Sequence, residues 1–128
     1  MNTDTKKSAL LLFAHGSSDP GWAEPFRKLQ SSIQQRDPTQ IVRLAFLERM
    51  QPPFDEAVDA LHAGGIRQVT VAPIFLALGG HMKKDLPALI DAAKARTGME
   101  FHILPALGEV DELIASIANW VHQASHAP

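Results

Sequence analysis

The chain has 128 residues, 45% hydrophobic and 20% charged, with a formal net charge of −2 and no cysteine. That length suits one compact domain with a real core, and the slightly acidic balance argues against a nucleic-acid binder. Without thiols there can be no disulfide, thiolate metal site or Cys nucleophile, so any metal site must be built from His, carboxylates and water.

Residues 1–7 are polar or small and read as a frayed end. Lys6-Lys7 ahead of Ala9–Ala14 mimics a signal peptide. That apolar run is shorter than an h-region of roughly 7–15 residues, and no small-residue cleavage site follows. Nor does any stretch approach the roughly 20 apolar residues of a membrane span. The expectation is a cytoplasmic chain that binds no membrane.

Ala9–Ala14 is nearly continuous in apolar residues, as a strand covered on both faces should be. Trp22, Phe26, Leu29 and Ile33 then recur at helical spacing. A second strand is expected at Ile41–Leu47, followed by a helix marked by Phe54, Ala57, Val58 and Leu61 and stopped by Gly64-Gly65. Val69–Leu76 is the third apolar run. The third helix carries Leu86, Leu89, Ile90 and Ala93, with Asp85 as its expected N-cap, Pro87 in its first turn and Gly98 closing it. Phe101–Leu104 makes a fourth strand. Val110, Leu113, Ile114, Ile117 and Val121 stripe a fourth helix, with fraying expected over 123–128.

This alternation predicts a single α/β domain over 1–128: a doubly wound, four-stranded parallel sheet with helices on both faces and right-handed crossovers. Such sheets bind ligands beyond the carboxyl ends of their strands, near a topological switch point. The first strand delivers His15-Gly16-Ser17-Ser18-Asp19 to that rim, and the second delivers Glu48-Arg49. The third leads into Leu78-Gly79-Gly80-His81-Met82-Lys83-Lys84, and the fourth ends at Pro105-Ala106-Leu107-Gly108. His15 and His81 lie too far apart for any local helix motif, so only the fold can join them.

Each candidate also has a plainer reading. His15 could open a loop whose turn is served by Gly16 and Ser17, and Glu48 could pair at the surface with Arg49, Arg43 or a lysine for little energy. His81 is harder to read that way, because Gly79-Gly80 ahead of it lets the backbone approach a ligand or swing as a lid. His62 suits a helix C-terminus, His102 is a strand residue, and His122 and His126 are too sparse for a metal-binding tract. None of these four is assigned a role.

Two imidazoles and a carboxylate suit borderline divalent metals such as Fe, Co, Ni or Zn, and imidazole is the side-chain type best able to take a proton near neutral pH. Loops rich in Gly, Leu, Met and Phe suit a flat apolar ligand, and Lys83, Lys84, Arg49 and Arg27 could meet carboxylates at its edge. Ser17, Gly79, Gly80, Lys83 and Lys84 are the candidate substrate contacts. Metal binding, proton acceptance and an apolar disc with acidic arms together describe metal insertion into a tetrapyrrole.

The residues carrying this chemistry also resemble a known family. Leu10–Ser17, reading Leu-Leu-Leu-Phe-Ala-His-Gly-Ser, is similar to the opening of the class II chelatases. Val71–Pro87, with His81 followed by Asp85 and Pro87, resembles the family's second and more specific signature, and Ala45–Glu48 with Pro52-Pro53 resembles its middle segment. Together they span nearly the whole chain, in the right order, and match the short, single-domain sirohydrochlorin type.

The resemblance implies a chelatase fold, with His15 and His81 as the metal-binding and proton-accepting pair and Glu48 assisting at the same metal. Which His plays which part stays open. It implies no prosthetic group. The divalent metal, Co2+ or else Ni2+ or Fe2+, is a substrate alongside sirohydrochlorin, and the short members pair as homodimers that imitate longer, two-domain relatives. A non-catalytic metal or tetrapyrrole carrier would use the same residues. A histidine-phosphatase reading fails because Ala14 stands where an Arg phosphate clamp is needed. A flavin-binding reading lacks a full hydroxyl-rich loop and any Tyr.

Overall fold

The apolar runs pair as four parallel strands. The structure, a computed structural model, describes residues 7–128; Lys6 and most of the expected N-terminal fray lie outside the described residues. The strands are β1 (Ser8–Ala14), β2 (Ile41–Phe46), β3 (Gln68–Pro73) and β4 (Glu100–Ile103), in the spatial order β2-β1-β3-β4. Leu12 lies beside Leu44 on one side and Ala72 on the other, so β1 is central and bonded along both edges. Burial on both faces is why its sequence does not alternate: Leu11 through Ala14 are all buried. Lys7 is not frayed, because its carbonyl accepts from the amides of Arg67 and Gln68 at 2.9 and 3.1 Å.

Two cores follow from the pleat, which sends alternate side chains to opposite faces. Leu11, Phe13, Val69 and Val71 pack with α2 (Phe54–Ala63) and α3 (Gly80–Thr97). Leu12, Ala14, Val42, Leu44 and Phe46 pack with Phe26 and Ile33 of α1 (Glu24–Arg36). Helices therefore lie on both faces, as expected. The Phe13 ring meets Phe54 and Phe75 edge-on, with centroids 5.1 and 5.9 Å apart. Aromatic contacts of this kind add roughly 0.5–1.5 kcal/mol to plain burial, and here they tie β1 to the segments that carry the rim.

Several boundaries differ from the sequence expectation, most of them by a residue or two. β3 ends at Pro73, and residues 74–79 are irregular. The Ile74 amide still donates to the Phe13 carbonyl at 2.7 Å, but Leu76 then leaves the core and is 62% exposed. α3 begins at Gly80 with Gly79 as N-cap, which places Asp85 and Pro87 inside the helix. The early start buries Met82 on the same face as Leu86, Ile90 and Ala93. Pro87 deprives only the Lys83 carbonyl of its helical donor, and Lys83 is exposed, so water can serve it. At the other end, α4 (Asp111–Ser125) continues past residue 123, through Ser125. Among the described residues, no helix is long and apolar enough to cross a membrane.

Candidate functional site

In the order β2-β1-β3-β4 the chain runs outward from β1 to β2 and returns across it to β3, so the switch point lies at β1 and β3. His15 follows β1 directly, and Glu48 lies two residues beyond β2. The Leu47 amide donates to the Ala14 carbonyl at 2.8 Å, extending the β1–β2 ladder past both strands and aligning the two loops. His15 Nδ1 stands 3.9 Å from Glu48 Oε1, with both side chains about half exposed, at 54% and 46%. The pair therefore faces solvent while its backbone is fixed. Glu48 turns to His15; no ion pair joins it to Arg43, Arg49 or a lysine among the described residues.

Gly16 makes this approach possible. A Cβ there would overlap the Glu48 carbonyl oxygen, so the close packing of the two loops needs glycine. Its amide donates to Glu48 Oε2 at 3.3 Å, leaving the carboxylate between a backbone donor and an imidazole. On the far side of Glu48, Arg49 holds φ at 65°, an uncommon left-handed position for a non-glycine residue. Strained residues of this kind gather at functional loops.

Two aromatic residues complete the setting of His15. The Phe75 ring lies 4.4 Å from the imidazole, tilted by 53°, and Phe75 itself is buried. The Trp22 indole N–H donates to the His15 carbonyl at 2.7 Å. Neither residue stood out in the sequence as part of the site. Trp22 was expected in the stripe of the first helix, but it lies in a 3-10 turn, Pro20–Ala23, started by an Asp19 side chain that accepts from the Gly21 amide at 2.9 Å. Its polar edge, seven residues after His15, was the available signal, since a Trp N–H usually finds an acceptor. Ser17 accepts from the Asp19 amide at 3.1 Å and so serves the turn.

His81 is the second residue of α3 and is exposed. The structure brings His15 and Glu48 together without adding it: among the described residues no three His, Asp or Glu side chains form a group able to hold a metal. Gly79 and Gly80 are not forced by packing, since a Cβ at either would meet nothing within 4 Å. Beside them an open cleft of about 570 Å³ is lined by Leu76, Ala77, Leu78, Lys83, Gly108 and Glu109. Its lining is apolar apart from one cation, Lys83, and one carboxylate, Glu109, while Lys84 is exposed without lining it. The Leu107 and Gly108 amides, donating to the Phe75 and Leu76 carbonyls at 2.9 and 2.7 Å, close its floor.

A half-exposed imidazole and carboxylate side by side on the rim can hold a borderline divalent ion while leaving most of its coordination open. Each can also take a proton from, or give one to, a ligand held against this rim. A model of the CbiX family matches residues 9–124. The chain belongs to the CbiX family. A sirohydrochlorin cobaltochelatase of Sulfurisphaera tokodaii is 32% identical over 108 residues, covering 84% of this chain and 85% of that protein. The crystal structure of a CbiX protein assigned to cobalamin (vitamin B12) biosynthesis, from Marinobacter aquaeolei VT8, superimposes with a TM-score of 0.82 at 32% identity, covering 91% and 96% of the two chains. The sirohydrochlorin chelatase SirB of Bacillus subtilis, solved in complex with cobalt, shares the fold at a TM-score of 0.68 and 23% identity. Here 77% of this chain matches only 43% of the SirB chain, so the CbiX fold recurs within a much longer molecule.

Proposed function

We propose that this CbiX-family chain is a lyase that inserts a divalent metal, Co2+ foremost, into sirohydrochlorin in the cytoplasm. The observation that carries the reading is the His15–Glu48 pair, 3.9 Å apart at the carboxyl ends of neighbouring strands. Relatives bearing the name sirohydrochlorin cobaltochelatase, one of them 32% identical over most of both chains, support it.

His15 and Glu48 hold the incoming ion, with the carboxylate offsetting part of its charge. Bound by few protein ligands and no thiolate, the ion is released readily into the ring. The cleft lined by Leu76 and Leu78 takes the apolar disc, and Lys83 meets one of its carboxylates. His81 reaches the metal-bearing face when the Gly79-Gly80 segment moves, and the open space around both glycines permits that motion. The imidazoles accept the inner protons as the metal enters. One chain supplies one wall of the cleft, so two chains face each other across the substrate.

The test follows the tetrapyrrole's absorbance change anaerobically with Co2+, Ni2+ and Fe2+ in turn. Many insertions per chain, fastest with Co2+, are expected. Preference for Ni2+ or Fe2+ would reassign the metal, and no more than one insertion per chain would make the protein a carrier.

A further inference from the structure

The fourth helix forms as its periodicity requires, yet among the described residues it packs on no strand and buries none of its own side chains. Every residue of α4 is exposed, including Leu113, Ile114, Ile117, Trp120 and Val121 at 40–68%. These residues occupy one stripe, with Asp111, Glu112, Asn119 and Gln123 away from it. A stripe of that width on a soluble helix normally faces a core, and a contiguous apolar face left open marks an interaction site.

The same chain carries a surface lacking such a helix. On the face covered by α1, the row formed by Leu10, Thr70 and His102 crosses three adjacent strands. Leu10 and Thr70 are only half-buried and His102 is exposed. The neighbouring Ala72 and Ile74, toward the carboxyl end of β3, are likewise only half-buried. α1 packs over β1 and β2, so among the described residues the β3–β4 half of this face has no helical cover.

α4 is held away from that strip. The 3-10 turn Leu107–Glu109 is bonded to the Phe75 and Leu76 carbonyls. Gly108 sits so close to the Leu76 carbonyl that a Cβ would overlap it. Only Val110 separates this pinned turn from the first residue of α4, so the turn fixes the direction in which the helix leaves.

We propose that α4 seats on the open β3–β4 strip of a second copy of this chain, and that the second copy returns the same contact. The exchange is reciprocal and closes on itself as a two-fold dimer. Fifteen residues make a helix about 22 Å long and 10 Å wide. Each seat hides roughly 220 Å² on helix and on strip, and two seats bring the total near the ~1,000 Å² at which specific interfaces begin. The proposal rests on the two-chain reading above and names the surface that joins the chains.

The chain has no native cysteine, so single cysteines report the seat directly. Chains carrying Ile117→Cys and differently tagged chains carrying Thr70→Cys, co-expressed and treated with a short bismaleimide, should give the hetero-cross-linked dimer. Ile117→Glu and Trp120→Glu, both at surface positions, should leave circular dichroism unchanged and raise the dimer Kd by roughly 100-fold in sedimentation. A dimer that neither cross-links this way nor responds to these substitutions overturns the seat but leaves the two-chain reading standing. A monomer at turnover concentrations overturns both. If the double variant Thr70→Cys/Ile117→Cys links only within single chains, the helix closes on its own sheet and the exchange is refuted.

Discussion

The Gly16 backbone lies against the Glu48 carbonyl with no room for a side chain between them, and the Gly16 amide donates to the same residue's carboxylate. One glycine thus sets the gap between the loop after β1 and the loop after β2. Gly16→Ala should cost about 1–3 kcal/mol, because the obstructing atom is backbone and cannot swing aside. For a domain of this size that lowers Tm by at least about 4 °C, and metal insertion should fall with it as Glu48 is pushed from His15. Gly79→Ala is the control. Its φ of −71° suits any residue and its surroundings are open, so it should change stability by less than ~1 kcal/mol in thermal melts. Equal losses at the two positions would show that the crowding at Gly16 relaxes freely.

Glu48→Gln keeps the shape of the side chain and an acceptor for the Gly16 amide while removing the charge beside His15. Fold and Tm should hold, since the residue is exposed. Co2+ affinity should fall roughly 10–100-fold, as when the carboxylate partner of a metal-binding His is lost. Calorimetric titration with Co2+ reads this directly. Affinity unchanged within threefold would remove Glu48 from the metal site and leave it as a brace for the loop.

The sheet was legible because its strands are short, mostly apolar runs separated by helical stripes, although β4 also carries Glu100 and His102, and the rim followed from strand order alone. The His15–Glu48 contact was legible only through that order, since 32 residues of intervening chain carry no local sign of it. Asp85 and Pro87 imitate a helix start, and the burial of Met82 one turn earlier outweighs the signal. Leu76 reads as strand because it is apolar, yet it lines a cleft, and composition cannot tell a core leucine from a binding one. The stripe on α4 announces amphipathicity but says nothing of what covers it, because periodicity is a property of one element and coverage belongs to two.

His15 and His81 should separate in binding experiments, because only His15 is assembled with Glu48. His15→Ala should weaken Co2+ binding in the absence of tetrapyrrole by about tenfold or more. His81→Ala should leave that binding within threefold. Both should abolish catalysed insertion, and both should fold normally, being exposed positions. Equal loss of Co2+ affinity in the two variants would mean that His81 joins the pair before substrate arrives.

Trp22 acts on His15 through the backbone, so Trp22→Phe tests whether that restraint matters. The substitution keeps an aromatic ring beside Phe26, whose centroid lies 5.9 Å away, and removes the donor to the His15 carbonyl along with part of the ring area. The lost bond is worth about 1 kcal/mol, because water can replace the indole N–H at this exposed loop. Tm should fall by about 4 °C. Metal insertion should slow several-fold through kcat, with KM for the tetrapyrrole unchanged, since the residue positions the imidazole rather than touching the ring. Trp22→Leu should show the same kcat defect plus a larger stability loss from missing ring contact. If Trp22→Phe matches the wild type in kcat while Trp22→Leu does not, packing rather than the hydrogen bond holds His15 in place.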